Sequence, residues 1–337
     1  LGACSSGSDA PASSAAAASP GADAGPAAGG SVTVLVYDSF ALPDEVIADF
    51  TATTGVDVTF EPVGDAGVLT NQIALTAGVP LGDAVYGIDN TFASRAIASG
   101  ALADYVSPAA VESVDGKLTA IDFSDVCFNI DLAAFGADNP APTTLDDLLD
   151  PAYAGKVSVS NPTTSSPGLA LLLATYDIYG DGWADYWRQL RDNDLKVTAG
   201  WSDTYFVDFS APNYGGDFPI VLSYASSPPS EVIDGEPTTA ALLDTCFRQT
   251  EYAGVLEGAE NPEAAKAVVD WLLSDTVQSA LPGSMYVYPI SPTATIPAEW
   301  EQFAPLSDNP VVMDPADIDA HRDRLLREWT EIVIEGR

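Results

Sequence analysis

Short segments typical of buried strands alternate with helical segments along most of this chain, and this alternation restricts the fold more than any other feature. In the first third, apolar β-branched runs predict strands, and Gly55 and Gly78 end the helices between them. The predicted strands are residues 32–37, 56–63 and 84–88, and the predicted helices are residues 43–50 and 68–77. This β-α-β-α-β order predicts a parallel sheet with helices on both faces.

The same alternation returns in the middle of the chain and gives way to helices toward its end. The predicted elements are strands at 156–159 and 219–224, helices at 169–179 and 261–273, and a last helix opened by Asp314 and Pro315. We therefore expect an α/β protein of two lobes, one of them built from both ends of the chain. The expected limits are residues 31–125 plus 252–337 for the first lobe and residues 126–251 for the second.

Residues 1–30 differ in composition from the rest of the chain. Leu1-Gly2-Ala3-Cys4 resembles the end of a bacterial lipoprotein signal, in which the cysteine becomes lipidated. The residues that follow are mostly Ser, Ala, Gly, Pro and Asp, which cannot bury enough apolar surface to offset their ordering entropy. We expect a flexible tether over residues 1–30 with Cys4 as a lipid anchor; the alternative is an arbitrary chain end with an odd cysteine.

The charge balance excludes one class of partner. The chain has 49 acidic residues against 12 Lys and Arg, for a net charge of −37. Nucleic acid is excluded because a phosphate backbone requires the opposite sign. Acidity of this kind suits a cationic ligand, although it is also typical of a surface adapted to salt or to high solubility. No apolar run is long enough to span a bilayer, so we expect attachment to a membrane only through Cys4.

The three cysteines divide into one anchor and one pair. If Cys4 is lipidated and the protein is extracytoplasmic, Cys127 and Cys246 are free to form a disulfide. Such a disulfide would close a loop of about 120 residues and contribute about 4–5 kcal/mol. The alternative is two buried free thiols. A zinc site is not expected, because His321 is the single histidine and no two cysteines are close in sequence.

Loops after the predicted strands are the candidate binding site, because ligands bind beyond the carboxyl ends of parallel strands. After the first strand, Tyr37, Asp38 and Ser39 offer an aromatic face, a carboxylate and a hydroxyl group. After the third, Asp89 and Asn90 offer a carboxylate and an amide. Each polar residue here would also serve as a turn residue or a helix cap, and both interpretations remain open.

Two serine-rich loops add hydroxyl groups to the candidate site. In the first, Ser166 is predicted to cap a helix whose first residue is Pro167, so that free backbone N–H groups face the loop beside Ser165. A helix N-terminus of this kind accommodates a hydroxyl group or an anion. The second loop carries Ser226 and Ser227 after a later strand.

Aromatic residues near glycines and strand ends complete the set. Trp201, Tyr224 and Tyr286 are placed to stack on a flat ring or to hold a cation against their faces. Each of them, taken singly, is also typical of a protein core.

Signatures of common enzymes are missing from the sequence. It contains neither a G-x-S-x-G elbow nor a G-x-x-x-x-G-K-[ST] phosphate loop. His321 falls on the last predicted helix, so a Ser-His-Asp triad lacks a base. We therefore expect a protein that is not an enzyme, with no catalytic residues and no metal.

These loops, in this order, resemble those of the thiamine-binding proteins of bacterial ABC importers. The motifs that carry the resemblance are Tyr37-Asp38-Ser39-Phe40, Gly87-Ile88-Asp89-Asn90, Thr164-Ser165-Ser166-Pro167-Gly168-Leu169, Gly200-Trp201-Ser202, Leu222-Ser223-Tyr224, Tyr288-Pro289-Ile290 and Glu328-Trp329. The resemblance implies a two-lobed fold like that of type II periplasmic binding proteins, with a strand hinge and a ligand cleft between the lobes. It also implies no cofactor, a monomer outside the cell membrane, and delivery of the ligand to an ABC permease and its ATPase.

The resemblance assigns a role to each group of candidate residues. The exocyclic amine of the aminopyrimidine would donate to a carboxylate such as Asp38 or Asp89. The cationic thiazolium favours aromatic faces, for which the candidates are Tyr37, Trp201, Tyr224 and Tyr286. The hydroxyethyl arm of thiamine, or a phosphate on it, would reach Ser165 and Ser166.

The match has departures, and two alternative functions stay open. Relatives carry an arginine at the position of Thr163, a difference that would affect the binding of thiamine phosphates. They carry a tryptophan at the position of Tyr286, a difference that would change the wall of the cleft. One alternative is a ferric-ion or small-anion receptor of the same fold. The other is an enzyme acting on the rings of thiamine, for which Cys127 is the only conceivable nucleophile in the sequence.

Overall fold

The computed structural model describes residues 30–337, so Cys4 and the predicted tether up to residue 29 lie outside the described residues. The strands are β1 (Ser31–Val36), β2 (Asp57–Pro62), β3 (Ala84–Asp89), β4 (Ser113–Val114), β5 (Leu118–Asp131), β6 (Val157–Ser160), β7 (Lys196–Thr198), β8 (Ile220–Tyr224), β9 (Val232–Ile233), β10 (Glu236–Pro237), β11 (Thr239–Ala241), β12 (Phe247–Val255) and β13 (Tyr288–Pro289). The helices are α1 (Asp44–Thr54), α2 (Ala66–Leu75), α3 (Ala93–Ala98), α4 (Ser166–Tyr179), α5 (Trp183–Asp192), α6 (Pro262–Trp271), α7 (Asp275–Met285), α8 (Ala298–Phe303) and α9 (Pro315–Trp329).

Two groups of parallel strands form the outer parts of the main sheet, whose order is β2-β1-β3-β12-β5-β8-β6-β7. In the first group, β1 pairs in parallel with β2 and β3. In the second group, β6 pairs in parallel with β7 and β8. The parallel pairing predicted from the alternation of strands and helices is therefore confirmed in both parts of the chain.

The long strands β5 and β12 join the two groups and were not predicted from the sequence. β12 is antiparallel to both β3 and β5, and β5 is antiparallel to β8. β5 pairs with β12 through residues 118–126 and with β8 through residues 126–130. One continuous strand thus passes from the first group into the second, and strand ends from both groups meet beside it.

The disulfide expected between Cys127 and Cys246 is present. Cys127 lies in β5 and Cys246 directly precedes β12, so the bond lies beside the two strands that join the groups. Ala225, at the end of β8, packs against both cysteines in a small separate cluster. Because Cys127 is bonded and fully buried, it is not a nucleophile for a ring-processing reaction.

Several helix limits follow the predicted caps, but Gly78 does not end α2, which stops at Leu75 with Thr76 as its C-cap, and two helix starts also differ from the prediction. Gly55 ends α1 in the left-handed conformation, as expected. Ser165, not Ser166, is the N-cap of α4; its backbone is extended, and Pro167 occupies the second helical position. α2 begins two residues before the prediction because the side chain of Asp65 accepts the N–H of Ala66.

The last helix contacts elements from both parts of the chain. α9 packs against α3 and also against α4 and α5. The limits expected for the two lobes, residues 31–125 plus 252–337 and residues 126–251, remain predictions. Among the described residues, no helix combines the length and the apolar character needed to cross a membrane.

Candidate functional site

A cavity of about 260 Å³ lies where the two groups of strands meet. The cavity takes residues from the loop after β1, the segment after β7, the end of β8, the middle of β12 and the end of α7. Among the residues predicted for the site, Tyr37, Asp38, Ser39, Trp201, Tyr224 and Tyr286 line it. The structure also adds Phe206 and Glu251, which sequence reasoning did not select.

The loop after β1 provides one side of the cavity. The hydroxyl group of Tyr37 donates to Glu251 Oε2 at 3.1 Å. Gly87 makes room for the Tyr37 ring: its φ is +105°, and a Cβ atom there would lie 2.0 Å from Tyr37 Cδ1. Asp38 accepts a hydrogen bond from the hydroxyl of Ser202 at 3.5 Å, and burial raises the pKa of its carboxyl group. Gly87 is therefore needed at this position because any larger residue would displace the Tyr37 ring.

Four aromatic side chains line the opposite side and are called here the aromatic wall: Trp201, Phe206, Tyr224 and Tyr286. The ring centroid of Trp201 lies 5.8 Å from that of Tyr224 and 6.3 Å from that of Tyr286. Its indole N–H donates to Ser223 Oγ at 2.9 Å, which fixes the plane of the ring. Trp201 is 6% exposed, so most of its surface already packs against protein. The wall presents fixed aromatic faces to a ligand.

A buried carboxylate supports the aromatic wall from behind. Tyr205 stacks on Trp201 with centroids 5.1 Å apart and an interplanar angle of 12°. The Tyr205 and Tyr214 hydroxyl groups donate to Glu231 Oε1 at 3.2 and 2.7 Å, and Asn213 Nδ2 donates to Glu231 Oε2 at 2.7 Å. Glu231 thereby fixes the layer on which Trp201 rests.

Tyr286 adopts an unusual backbone conformation at the end of α7. Its φ is +57°, in the left-handed region that residues other than glycine seldom occupy. Its carbonyl oxygen accepts a hydrogen bond from Ser226 Oγ at 2.5 Å, and Ser226 in turn shares a hydrogen bond with Ser124 at 2.6 Å. Ser226 therefore holds the backbone of the wall in place and does not itself line the cavity.

Glu251 in β12 lines the cavity, and Asp122 in β5 is paired directly opposite Glu251; these two carboxyl groups are called here the carboxyl floor. Because residues paired across antiparallel strands point to the same face of a sheet, the two side chains are adjacent. Tyr86 donates its hydroxyl to Asp122 Oδ2, and Gln249 Nε2 donates to Glu251 Oε1 at 2.9 Å. Burial is the main cause that raises the pKa of both carboxyl groups, that of Asp122 to about 7.

Glu251 was missed because its strand was not recognised. Gln249 and Glu251 are two residues apart, which places both side chains on one face of β12. Two long polar side chains two residues apart, followed by the apolar run from Tyr252 to Val255, are the signal that would have identified them.

Asp89 and Asn90, also predicted for the site, act as local structural residues. Asp89 is fully buried, and its Oδ1 accepts the N–H groups of Thr91 and Phe92 at 3.0 and 3.1 Å. Burial raises the pKa of Asp89, and the hydroxyl groups of Thr91 and Ser166 partly offset the rise. Asn90 bonds the backbone of β12 at Arg248 and Thr250. The contacts of Asp89 match the turn interpretation that the sequence left open, whereas Asn90 joins its loop to β12, and neither residue lines the cavity.

The remaining serines lie behind the cavity surface. Ser165 Oγ donates to Ser160 Oγ at 2.9 Å, and Ser166 is buried next to Asp89. Ser227 Oγ shares a hydrogen bond with Ser223 Oγ at 2.8 Å, and Ser223 is the residue that holds the Trp201 indole. The structure thus connects Ser227 to the aromatic wall but does not bring Ser165 or Ser166 to the cavity.

Contacts between the two sides of the cleft come from the segment that opens α2. Asp65 Oδ2 accepts the backbone N–H of Trp201 at 2.9 Å. The N–H of Gly67 donates to the carbonyl of Thr164 at 3.0 Å, and a Cβ atom at Gly67 would meet that carbonyl oxygen at 2.8 Å. Burial raises the pKa of Asp65 to about 6. Asp65 was not selected from the sequence.

The chemistry of the cavity is that of a site for an organic cation. Its lining includes aromatic faces and the carboxyl groups of Asp38 and Glu251, and no Lys, Arg or His contributes to it. Within residues 30–337, no three His, Cys, Asp or Glu side chains are grouped so that they could hold a metal ion. The cavity therefore suits a flat, positively charged molecule better than an anion or a metal.

Comparison with known proteins supports a transport protein. The model of the family described as bacterial extracellular solute-binding protein matches residues 83–309. The thiamine-binding periplasmic protein of Escherichia coli K12 is 28% identical over 314 residues, which cover 90% of this chain and 93% of that protein. A solved structure titled periplasmic thiamin binding protein superposes with a TM-score of 0.80 at 26% identity, covering 90% of this chain and 96% of the other.

A further solved structure, iron-bound HitA from Pseudomonas aeruginosa, superposes with a TM-score of 0.69 at 21% identity and covers 89% of this chain and 99% of the other. At that identity the match shows a common fold alone. Together these matches confirm the two-lobed α/β fold of type II periplasmic binding proteins. The matching family consists of solute-binding proteins and not of enzymes. This chain belongs to the family of bacterial extracellular solute-binding proteins.

Proposed function

We propose that this protein captures thiamine in the cleft and delivers it to the permease of an ABC importer, which the associated ATPase drives. The observation that carries the proposal is one cavity that combines the aromatic wall with the carboxyl group of Glu251. The names of the relatives, which are thiamine-binding proteins, support the same ligand.

Each part of thiamine has a complementary group in the cavity. The thiazolium ring is flat and permanently positive, so it is suited to the faces of Trp201 and Tyr224. The exocyclic amine of the aminopyrimidine is a hydrogen-bond donor, which the carboxylate of Asp38 or Glu251 accepts. Tyr37 and Ser39 add hydroxyl groups for the remaining polar atoms.

We further propose that unmodified thiamine is preferred over its phosphates. No basic side chain lines the cavity, whereas Asp38 and Glu251 would repel a phosphate group. Ser165 and Ser166, the residues predicted to reach a phosphate, do not line the cavity. Affinity is therefore expected to fall with each added phosphate.

Calorimetric titration of the purified protein with thiamine, its monophosphate and its diphosphate tests these proposals. We expect one thiamine per chain, micromolar or tighter binding, and a clear rise in melting temperature at saturating ligand. Absence of both the heat signal and the thermal shift with all three compounds would disprove thiamine capture. Equal or tighter binding of the diphosphate would disprove the preference alone.

The ferric alternative is less consistent with the same residues. Hard trivalent cations favour several anionic oxygen ligands at one point, and among the described residues no three His, Cys, Asp or Glu side chains are grouped so that they could hold a metal ion. Metal analysis of the purified protein, with and without added ferric citrate, checks this directly. Stoichiometric iron would favour the ferric function.

We also propose that Cys4 carries the lipid that anchors a monomeric protein at the outer face of the cell membrane. The composition of residues 5–29 and the small residues before Cys4 support this proposal. Mass spectrometry of the protein extracted from the membrane fraction tests it, with a Cys4→Ser variant as the control. An unlipidated N-terminus on Cys4, or a Cys4→Ser variant that remains in the membrane fraction, would contradict it.

A further inference from the structure

The carboxyl floor is a buried acidic pair with no basic partner. Glu251 is 5% exposed and Asp122 is 0% exposed. Among the described residues, no ion pair within 4.0 Å involves either side chain; the nearby Arg248 pairs with Asp125 instead. Two carboxylates that are close together and shielded from water cannot both be ionised at low cost.

Within residues 30–337, the titratable groups that interact with Glu251 are acids and phenols. These groups are Asp122 from β5, Asp89 and Tyr86 from β3, Tyr37 after β1 and Tyr224 from β8. None of them carries a positive charge that would stabilise a second negative charge on the pair; only the hydrogen bond from Tyr86 to Asp122 partly offsets its cost. Tyr37 and Gln249 stabilise one ionised carboxylate by donating to Glu251.

The hydrogen bonds around the pair leave a place for one proton. Asp122 Oδ2 accepts the hydroxyl of Tyr86, but Asp122 Oδ1 is buried and accepts no hydrogen bond from any described N–H or O–H group. A carboxylic acid proton shared between Glu251 and Asp122 supplies the missing donor. A buried acceptor without such a donor would be costly.

We propose that the Glu251–Asp122 pair holds one proton in the ligand-free protein and releases it to the solvent when a cationic ligand enters the cleft. Glu251 is then the residue that selects ligands by charge, because it lines the cavity and gains a full negative charge only beside a cation. This inference rests on the proposed function, since thiamine supplies the cation. In the exchange, one O–H bond of the pair is broken and the proton is taken up by the buffer.

Charge selection by this route differs from attraction by a permanently ionised carboxylate. A neutral molecule of the same shape leaves the proton on the pair and meets a neutral, hydrogen-bonded floor. A cation replaces the proton as the partner of the negative charge, so its binding is favoured as pH rises. The linkage applies to thiamine and not to an isostere in which the thiazolium is a neutral thiophene ring.

Calorimetry in two buffers with different ionisation enthalpies, at about pH 6.5, tests the proposal because the observed heat then depends on the protons released. For wild-type protein we expect roughly one proton released per thiamine and none for the neutral thiophene analogue. The Glu251→Gln variant should release none and bind thiamine at least tenfold more weakly, while its loss of affinity for the neutral analogue should be clearly smaller, because the substituted side chain keeps a carbonyl acceptor but no charge. Asp122→Asn, which keeps an acceptor for Tyr86, should reduce the proton release without abolishing thiamine binding.

The possible outcomes separate this inference from the proposed function. Thiamine binding by wild-type protein with no dependence on the buffer overturns the inference and leaves thiamine capture intact. If Glu251→Gln binds thiamine with wild-type affinity, the inference is likewise overturned and thiamine capture is again left intact. No binding of thiamine to wild-type protein overturns the proposed function itself, and the inference falls with it.

Discussion

The aromatic wall and the carboxyl floor both suit a positive charge, but they do so by different physics. The wall acts through the quadrupole of its rings, which does not change with pH. The floor acts through a carboxyl group whose charge depends on pH and on the ligand, because burial and the neighbouring acid raise the pKa of Glu251. One cleft can thus combine an attraction for a flat ring that is independent of pH with an attraction for positive charge that depends on the ionisation of Glu251.

The two regions also differ in how they are built. Trp201 and Tyr286 belong to loops or helix ends, and a second layer of hydrogen bonds from Ser223 and Ser226 fixes them. Glu251 and Asp122 belong to paired central strands, so the sheet itself fixes their positions. Changes in the wall should therefore affect ring contacts, whereas changes in the floor should affect charge.

Removal of the Trp201 ring should have the largest effect on affinity. Trp201→Ala is expected to weaken thiamine binding about 100-fold, or by about 2.7 kcal/mol, because it removes the largest desolvated aromatic face of the wall. Trp201→Phe keeps an aromatic face but loses the hydrogen bond to Ser223, so its loss should be about tenfold. Calorimetric titration measures both values. A loss of less than threefold in Trp201→Ala would show that the wall does not hold the ligand.

The floor should make the stability of the ligand-free protein depend on pH. The pKa of Asp122 is raised to about 7 in the folded state, so the folded protein binds this proton more tightly than the unfolded chain does. Its stabilising effect is complete below about pH 4 and is lost as pH rises through about 7. Urea unfolding should show that Asp122→Asn flattens this fall by on the order of 2 kcal/mol.

Asp147→Asn is the matched control for that measurement. Hydrogen bonds from the N–H and hydroxyl groups of Thr143 lower the pKa of Asp147, so its effect has the opposite sign. Ionised Asp147 stabilises the folded state at any pH above the pKa that this carboxyl group has in the unfolded chain. That stabilisation is lost only as the pH falls through its lower folded-state pKa. The control should therefore leave the slope above about pH 5 unchanged. An unchanged slope in Asp122→Asn would contradict the assignment of the proton to the floor.

The contact between Asp65 and Trp201 links the two sides of the cleft, and its loss should have an intermediate effect. Asp65→Ala removes the acceptor of the Trp201 backbone N–H and should weaken thiamine binding about tenfold. It also removes the cap of α2, at a cost of about 1 kcal/mol in the free energy of unfolding.

Asp314→Ala separates the two effects of the Asp65 change. Asp314 caps α9 in the same way, but it does not line the cavity. A similar loss of stability without a loss of affinity is expected, as measured by thermal unfolding and calorimetry. Equal affinity losses in the two variants would mean that Asp65 acts only through helix stability.

Tyr286→Phe should have the smallest effect on binding. The ring stays in the aromatic wall, and only the hydroxyl group beside Tyr214 is lost. We expect a change in affinity of about twofold or less, since a hydrogen bond behind the wall contributes little to ring contacts. A loss of tenfold or more would indicate that the hydroxyl group contacts the ligand directly.

The sequence was informative where local patterns determine structure. Parallel strands, the Gly55 helix end and the residues after β1 followed from periodicity and caps. Tyr37 and Trp201 were recognised because they follow strands or glycines in the predicted order. The placement of such residues depends mainly on their near neighbours in the chain, and a single sequence contains that information.

Features that depend on distant pairing were not predicted. Glu251 and Asp122 belong to long antiparallel strands that lack a clear alternation of apolar and polar residues. The burial of Asp89 within the sheet and its hydrogen bonds to the turn after β3 were also not apparent from the sequence. Contacts such as Asp65 to Trp201 join residues far apart in sequence, and no local pattern reports them.

The affinity for thiamine of wild type, Trp201→Ala and Glu251→Gln at about pH 6 and pH 8 tests the two-region account most directly. For wild type, affinity should rise with pH. The loss caused by Trp201→Ala should be the same at both pH values, whereas the loss caused by Glu251→Gln should be larger at the higher pH. Parallel pH profiles for all three proteins would contradict the account, because the floor would then contribute no charge that depends on pH.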